Sequence, residues 1–200
     1  MHACVIVVVD GATCPCHLHE AVAVALEPYY EIEWDWWELG GRWKKSLIAK
    51  DGTKVSYELK KYIDWEKMEN RQKNFYRKLY KQNVKDVKIS PPKTSLKSLA
   101  TISSSVSGQV PKAAESYAKL ANFLWEPRAA STETEDEFVT RLYTPFNASS
   151  VLSKDGTWAS DFLVDSNGNV GNNPNWAEEC KELFSVSSDD DFIVVVDVHL

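Results

Sequence analysis

The chain has 200 residues, 44% hydrophobic and 26% charged, enough for one domain with a sizeable core that needs neither a disulfide nor a metal scaffold. Its net charge of −6, from 23 basic and 29 acidic residues, excludes a protein that coats DNA or RNA by neutralising phosphates. No apolar run reaches the roughly 18 residues that span a bilayer, and the opening residues lack the basic start and cleavage site of a signal peptide, so a cytoplasmic protein is expected.

Residues 3–10, ACVIVVVD, form an unbroken β-branched run that stops at Asp10 and Gly11, which predicts a central strand buried on both faces. The turn that follows carries Cys14, Cys16, His17 and His19, all donors suited to soft metals. Adjacent Cys16 and His17, with no second distant ligand pair, depart from the usual zinc spacings. The segment therefore reads as a turn shaped by Pro15, and no metal is expected. Nor do the four cysteines compose a disulfide framework, since Cys4 lies in the strand and Cys180 in a predicted helix.

Residues 19–26, rich in Ala and ending before Pro28, predict a short helix. Residues 31–36 alternate, with Ile32, Trp34 and Trp36 on one side and Glu31, Glu33 and Asp35 on the other, which predicts a strand with an aromatic face. Gly40 and Gly41 end it. Residues 46–59 hold two strand-like runs around Asp51-Gly52, a hairpin signal. Residues 64–84 predict a helix capped by Asp64, with Trp65, Met68, Gln72, Phe75 and Leu79 at three-to-four spacing.

The Ser-rich stretch 90–110, with Pro91-Pro92, reads as a connection. Helices are predicted over 112–125 and 134–143, the second capped by Thr132. The last third predicts a hairpin around Asp155-Gly156, a Gly/Asn-rich turn, a helix over 175–184 and a strand over 192–200. Asp165, Asn167 and Asn169 alternate as in a calcium loop, but Trp176 stands where the closing carboxylate is needed, and calcium is not expected.

The predicted fold class is α+β, with residues 1–200 as one domain. The outer elements follow the order of a ferredoxin-like βαββαβ core. Residues 31–146 form a large mixed insertion between the first helix and the second core strand, holding the Trp-rich strand, a hairpin, helices and the Ser-rich connection. The shared Val richness of the first and last strands suggests that they pair.

The most specific feature is WDWWELGGRW at residues 34–43, indoles around a Gly-Gly turn. In the binding reading, Trp36, Trp37 and Trp43 wall a flat ligand, Gly40 and Gly41 let backbone N–H groups approach it, and Arg42 forks onto a phosphate or carboxylate. In the structural reading Trp34 and Trp36 are core, Gly40-Gly41 is only a turn, and Arg42 packs on an indole while pairing with Glu38 or Asp35. Asp197 and His199 share one face of the last strand, as an acid-base pair or as bonds to a base or ribose hydroxyl. No phosphate loop, dinucleotide fingerprint or nucleophile elbow is present, so no cofactor and no catalytic residue is assigned.

WDWWELGGRW (34–43), LSKDGTW (152–158) and DDDFIVVVDVHL (189–200) together resemble an uncharacterised family of small proteins encoded by tailed bacteriophages. That family has a Trp-rich strand running into Gly-Gly-Arg-Trp, an Asp-Gly-x-Trp hairpin and a terminal strand closing on Val-Asp-Cys-His. Here Val198 replaces the cysteine, which removes a thiol nucleophile and leaves a binding role untouched.

The resemblance implies an accessory phage protein acting in the bacterial cytoplasm against host defence. The expected function is non-enzymatic sequestration of a nucleotide-like small molecule at Trp36, Trp37, Gly40, Gly41, Arg42, Trp43, Asp197 and His199. The alternatives are a protein-protein inhibitor of a host defence complex and a His/Asp phosphodiesterase. The expected partners are such a small molecule or a host defence protein, and a homo-oligomer would complete a pocket from two chains.

Overall fold

The computed structural model describes residues 2–89, 132–146, 148–164 and 170–199. The predicted connection at 90–110, the helix at 112–125 and the segment 165–169 lie outside the described residues. No helix among the described residues is long and apolar enough to cross a membrane.

The described chain is mixed α+β. Its strands are β1 (His2–Val9), β2 (Trp36–Leu39), β3 (Leu47–Ile48), β4 (Lys54–Val55), β5 (Tyr57–Leu59), β6 (Ser150–Leu152), β7 (Trp158–Ser160), β8 (Phe162–Val164), β9 (Val170–Asn172) and β10 (Phe192–His199). Its helices are α1 (Leu18–Leu26), α2 (Trp65–Ile89), α3 (Glu135–Leu142) and α4 (Trp176–Val186). The chain divides into two compact units, Met1–Lys73 with Tyr143–Leu200, and Asn74–Leu142.

The first unit is built on a mixed sheet of order β2-β10-β1-β6-β7, with β5 also paired to β10. β1 and β10 pair antiparallel along their whole length, His2 opposite His199 and Val9 opposite Phe192. The predicted hairpins form as β3–β4 around Asp51-Gly52 and β6–β7 around Asp155-Gly156. The outer elements keep the βαββαβ order, and β6 lies directly beside β1 in parallel. The split βαβ unit of a ferredoxin-like core would set another strand between them.

The sheet is covered on both faces, which is why β1 and β10 read as unbroken apolar runs rather than as alternation. Val5, Val7, Val194 and Val196 pack on one face with Leu18, Val22 and Leu26, which recur every fourth residue along α1. Ile6, Val8, Ile193 and Val195 pack on the other with Met68, Phe146 and Cys180. Burying each such side chain stabilises by about 1.5–3 kcal/mol. Lys60 is also buried, because its ammonium donates to the carbonyls of Phe184 (3.0 Å) and Ser187 (2.8 Å) and so satisfies the C-terminal turn of α4.

Asp64 caps α2 as expected, accepting the Lys67 N–H at 3.1 Å. In the second unit the cap of α3 is Thr134 rather than Thr132. Its hydroxyl accepts the Glu137 N–H at 3.3 Å while Glu137 accepts the Thr134 N–H at 2.8 Å, a capping box. The Trp-rich strand also begins later than its alternation suggests. Glu31 N–H donates to Trp34 O (2.7 Å) and Glu33 N–H to Tyr29 O (2.9 Å), so residues 31–34 form a turn, with Glu31 at φ 60°. Trp34 is thereby buried, its indole N–H on Leu26 O at 3.2 Å.

Candidate functional site at the histidine end of the sheet

β10 projects Asp197 and His199 from one face. Register then decides their company: β1 sets Cys4 opposite Asp197 and His2 opposite His199, while β2 sets Glu38 opposite Asp197 and Trp36 opposite His199. Directly opposed residues of an antiparallel pair share a face, so His2, His199 and Trp36 meet at this end of the sheet. The His2 ring is 5.2 Å from that of His199 and 5.9 Å from that of Trp36, both edge-on. Trp36 is 46% exposed.

Asp197 is buried and has two direct partners. One oxygen lies 2.8 Å from His2 Nδ1, and the other accepts the Arg42 N–H at 2.9 Å. The second bond explains the glycine pair. Gly41 has φ +41°, and a Cβ there would lie 2.3 Å from Asp197 Cβ, while Gly40 has φ +74° and would meet Ser56 Oγ at 2.6 Å. The turn does present a backbone N–H to an anion, but that anion is the chain's own Asp197.

The expected Asp197–His199 pair is therefore replaced by two crossed pairs. Asp197 binds His2, and His199 Nδ1 lies 2.7 Å from Asp35. A carboxylate on Nδ1 orients an imidazole. Cys4, beside Asp197, supplies no nucleophile, because burial and then the Asp197 charge push its thiol up to about 12.

The other predicted residues part company. Trp37 lies on the opposite face of the sheet, its ring tilted against that of His19 at 4.8 Å and packed into the core over α1. Trp43 lines a small cleft with Cys4, Ile6, Phe146 and Arg71, whose guanidinium donates to Ser46 O at 2.5 Å. No ring contact joins Trp36, Trp37 and Trp43 to one another among the described residues. The side chain of Arg42 is exposed.

Sequence reasoning passed over His2 and gave Asp35 only to Arg42. The signal for His2 was present: with the end strands paired, an alternating residue two before Cys4 shares the face of Asp197 and His199. No protein-family model, curated protein or solved structure matches the chain.

Proposed function

We propose that the protein is a non-enzymatic binding protein that captures a flat, anionic, nucleotide-like small molecule at the histidine end of the sheet. One observation carries this reading: Trp36, His2 and His199 gather three rings on one face, both imidazoles held by carboxylates. Trp36 supplies a stacking surface, worth about 1–3 kcal/mol for a base. Arg42 starts beside Asp197 and carries its guanidinium into solvent, within reach of a phosphate. The histidines donate to or accept from ribose and base edges. Trp37 and Trp43 shape the unit that holds this surface.

The resemblance to phage-encoded proteins supports a counter-defence role, in which the captured molecule is a nucleotide signal of the host. The test is a thermal-shift screen against mono-, di- and cyclic nucleotides and ADP-ribose derivatives, since a ligand of the folded state raises apparent stability with ln(1 + [L]/Kd). A shift that Trp36→Ala and Arg42→Ala each remove supports capture. No shift with any compound overturns it in favour of an inhibitor that grips a host defence protein.

The two separate histidine-carboxylate pairs favour a second reading, hydrolysis of a phosphodiester with one imidazole as base and the other as acid. Cyclic and linear dinucleotides recovered unchanged after prolonged incubation exclude it. Cleavage lost in both His2→Ala and His199→Ala establishes it over capture.

A further inference from the structure

A second group of reactive side chains lies apart from the histidine end, in the turn between β1 and α1. Cys14, Cys16 and His17 are all exposed, and their sulfur and nitrogen donor atoms lie within 4.8 Å of one another. They are the donors that converge in this way among the described residues. The two sulfurs are joined to each other as a disulfide, which spans only Pro15 and ties no two elements together. The turn is anchored on both sides. Thr13 N–H donates to Asp10 O at 3.0 Å, His17 N–H donates to Cys14 O at 2.8 Å, and the buried Leu18 then opens α1. Pro15 fixes one backbone torsion within it.

We propose that the reduced form of this turn is an open, three-donor site for a soft cation such as zinc, held by Cys14, Cys16 and His17 and closed off by oxidation. A dithiol reductant passes two electrons and two protons to the S–S bond, giving two thiols and becoming a disulfide itself. Zn²⁺ then releases both thiol protons to solvent and binds two thiolates and one imidazole nitrogen, with water in the fourth position. Zinc distances of about 2.3 Å to sulfur and 2.0 Å to nitrogen put tetrahedral donors roughly 3.5–3.8 Å apart, within the 4.8 Å over which the three donor atoms already gather.

Two thiolates select zinc or copper(I) over magnesium or calcium. The spacing departs from that of structural zinc sites for a physical reason: those link two distant ligand pairs to hold a fold, whereas this turn is already held by its own backbone. The remaining cysteines do not compete. Cys4 and Cys180 are buried, and burial pushes both thiols up to about 12.

Cobalt(II) titration of the full-length chain tests the site. After phosphine reduction, the wild type gains a thiolate-to-cobalt charge-transfer band that saturates at one equivalent and is abolished by zinc. The oxidised wild type and reduced Cys14→Ser and Cys16→Ser show none, and His17→Ala binds about tenfold or more weakly. All three side chains exchanged or oxidised are exposed, so circular dichroism is unchanged throughout. Absence of the band in the reduced wild type, or its persistence in the Cys14→Ser, Cys16→Ser double variant, overturns the proposal.

Discussion

Each end of β10 buries one aspartate, and the partners differ. At the start, Asp191 accepts the N–H groups of Ser188 (2.8 Å) and Gly11 (3.4 Å) and pairs with Lys154 at 3.0 Å. At the finish, Asp197 accepts the N–H of Arg42 at 2.9 Å and pairs with His2 at 2.8 Å. Each end also depends on a glycine that admits a close approach: a Cβ on Gly11 would lie 1.7 Å from Asp190 O, and one on Gly41 2.3 Å from Asp197 Cβ. The first carboxylate holds a permanent cation and knits the turn after β1 to the turn before β10. The second holds an imidazole beside exposed rings. A buried carboxylate therefore does not mark a site by itself.

The glycines should break this symmetry most. Gly11→Ala meets a backbone carbonyl that cannot rotate aside, and we expect a loss of about 3–5 kcal/mol in urea unfolding. Gly41→Ala meets a side chain that can move only by giving up the Arg42 N–H, at a positive φ, for about 2–4 kcal/mol. A wild-type unfolding midpoint for Gly41→Ala would sink this account of the Gly-Gly turn.

The cation partners come next. His2→Ala leaves the buried Asp197 with one backbone donor and should cost about 1–3 kcal/mol. Lys154→Ala should cost clearly less, because its side chain is 46% exposed and Asp191 keeps two backbone donors. Equal losses would show that the two ends are alike after all.

A third carboxylate sharpens the contrast, since burial pushes Asp161 up to about 6 from an ordinary value of 3.8. Between these values the folded chain holds the proton that the unfolded chain releases. Stability from this group is therefore greatest below about 4 and is lost as pH rises to about 6, on the order of 3 kcal/mol. Asp161→Asn should flatten that part of the pH–stability curve, and an unchanged curve would refute the assignment. The smallest effects on stability belong to Trp36→Ala and Arg42→Ala, within about 0.5 kcal/mol, because both side chains reach solvent and Arg42→Ala keeps the N–H that Asp197 uses. Both nonetheless remove the proposed ligand.

The central strands, both hairpin turns and the Asp64 cap were legible because each is written in neighbouring residues. The candidate site was legible in part. Gly40, Gly41, Asp197 and His199 stood out, yet the grouping of Trp36, Trp37 and Trp43 did not hold, because adjacent strand residues point to opposite faces and Trp43 lies beyond the turn. The late start of β2 escaped notice because the alternation at 31–36 is matched by a turn whose hydrogen bonds, Glu31 to Trp34 and Glu33 to Tyr29, leave no pattern in residue type.

By itself, then, the amino-acid order determined the central strand β1, the terminal strand β10, both hairpin turns and the helices α1 to α4, and that a glycine turn precedes Arg42. Only the tertiary structure decided which carboxylate meets which histidine. His2 and Asp197 stand 195 positions apart, and His199 and Asp35 stand 164 apart. Those pairs are set by the register of β1 and β2 on β10, and register arises from packing both faces of the sheet at once, to which local propensity is blind.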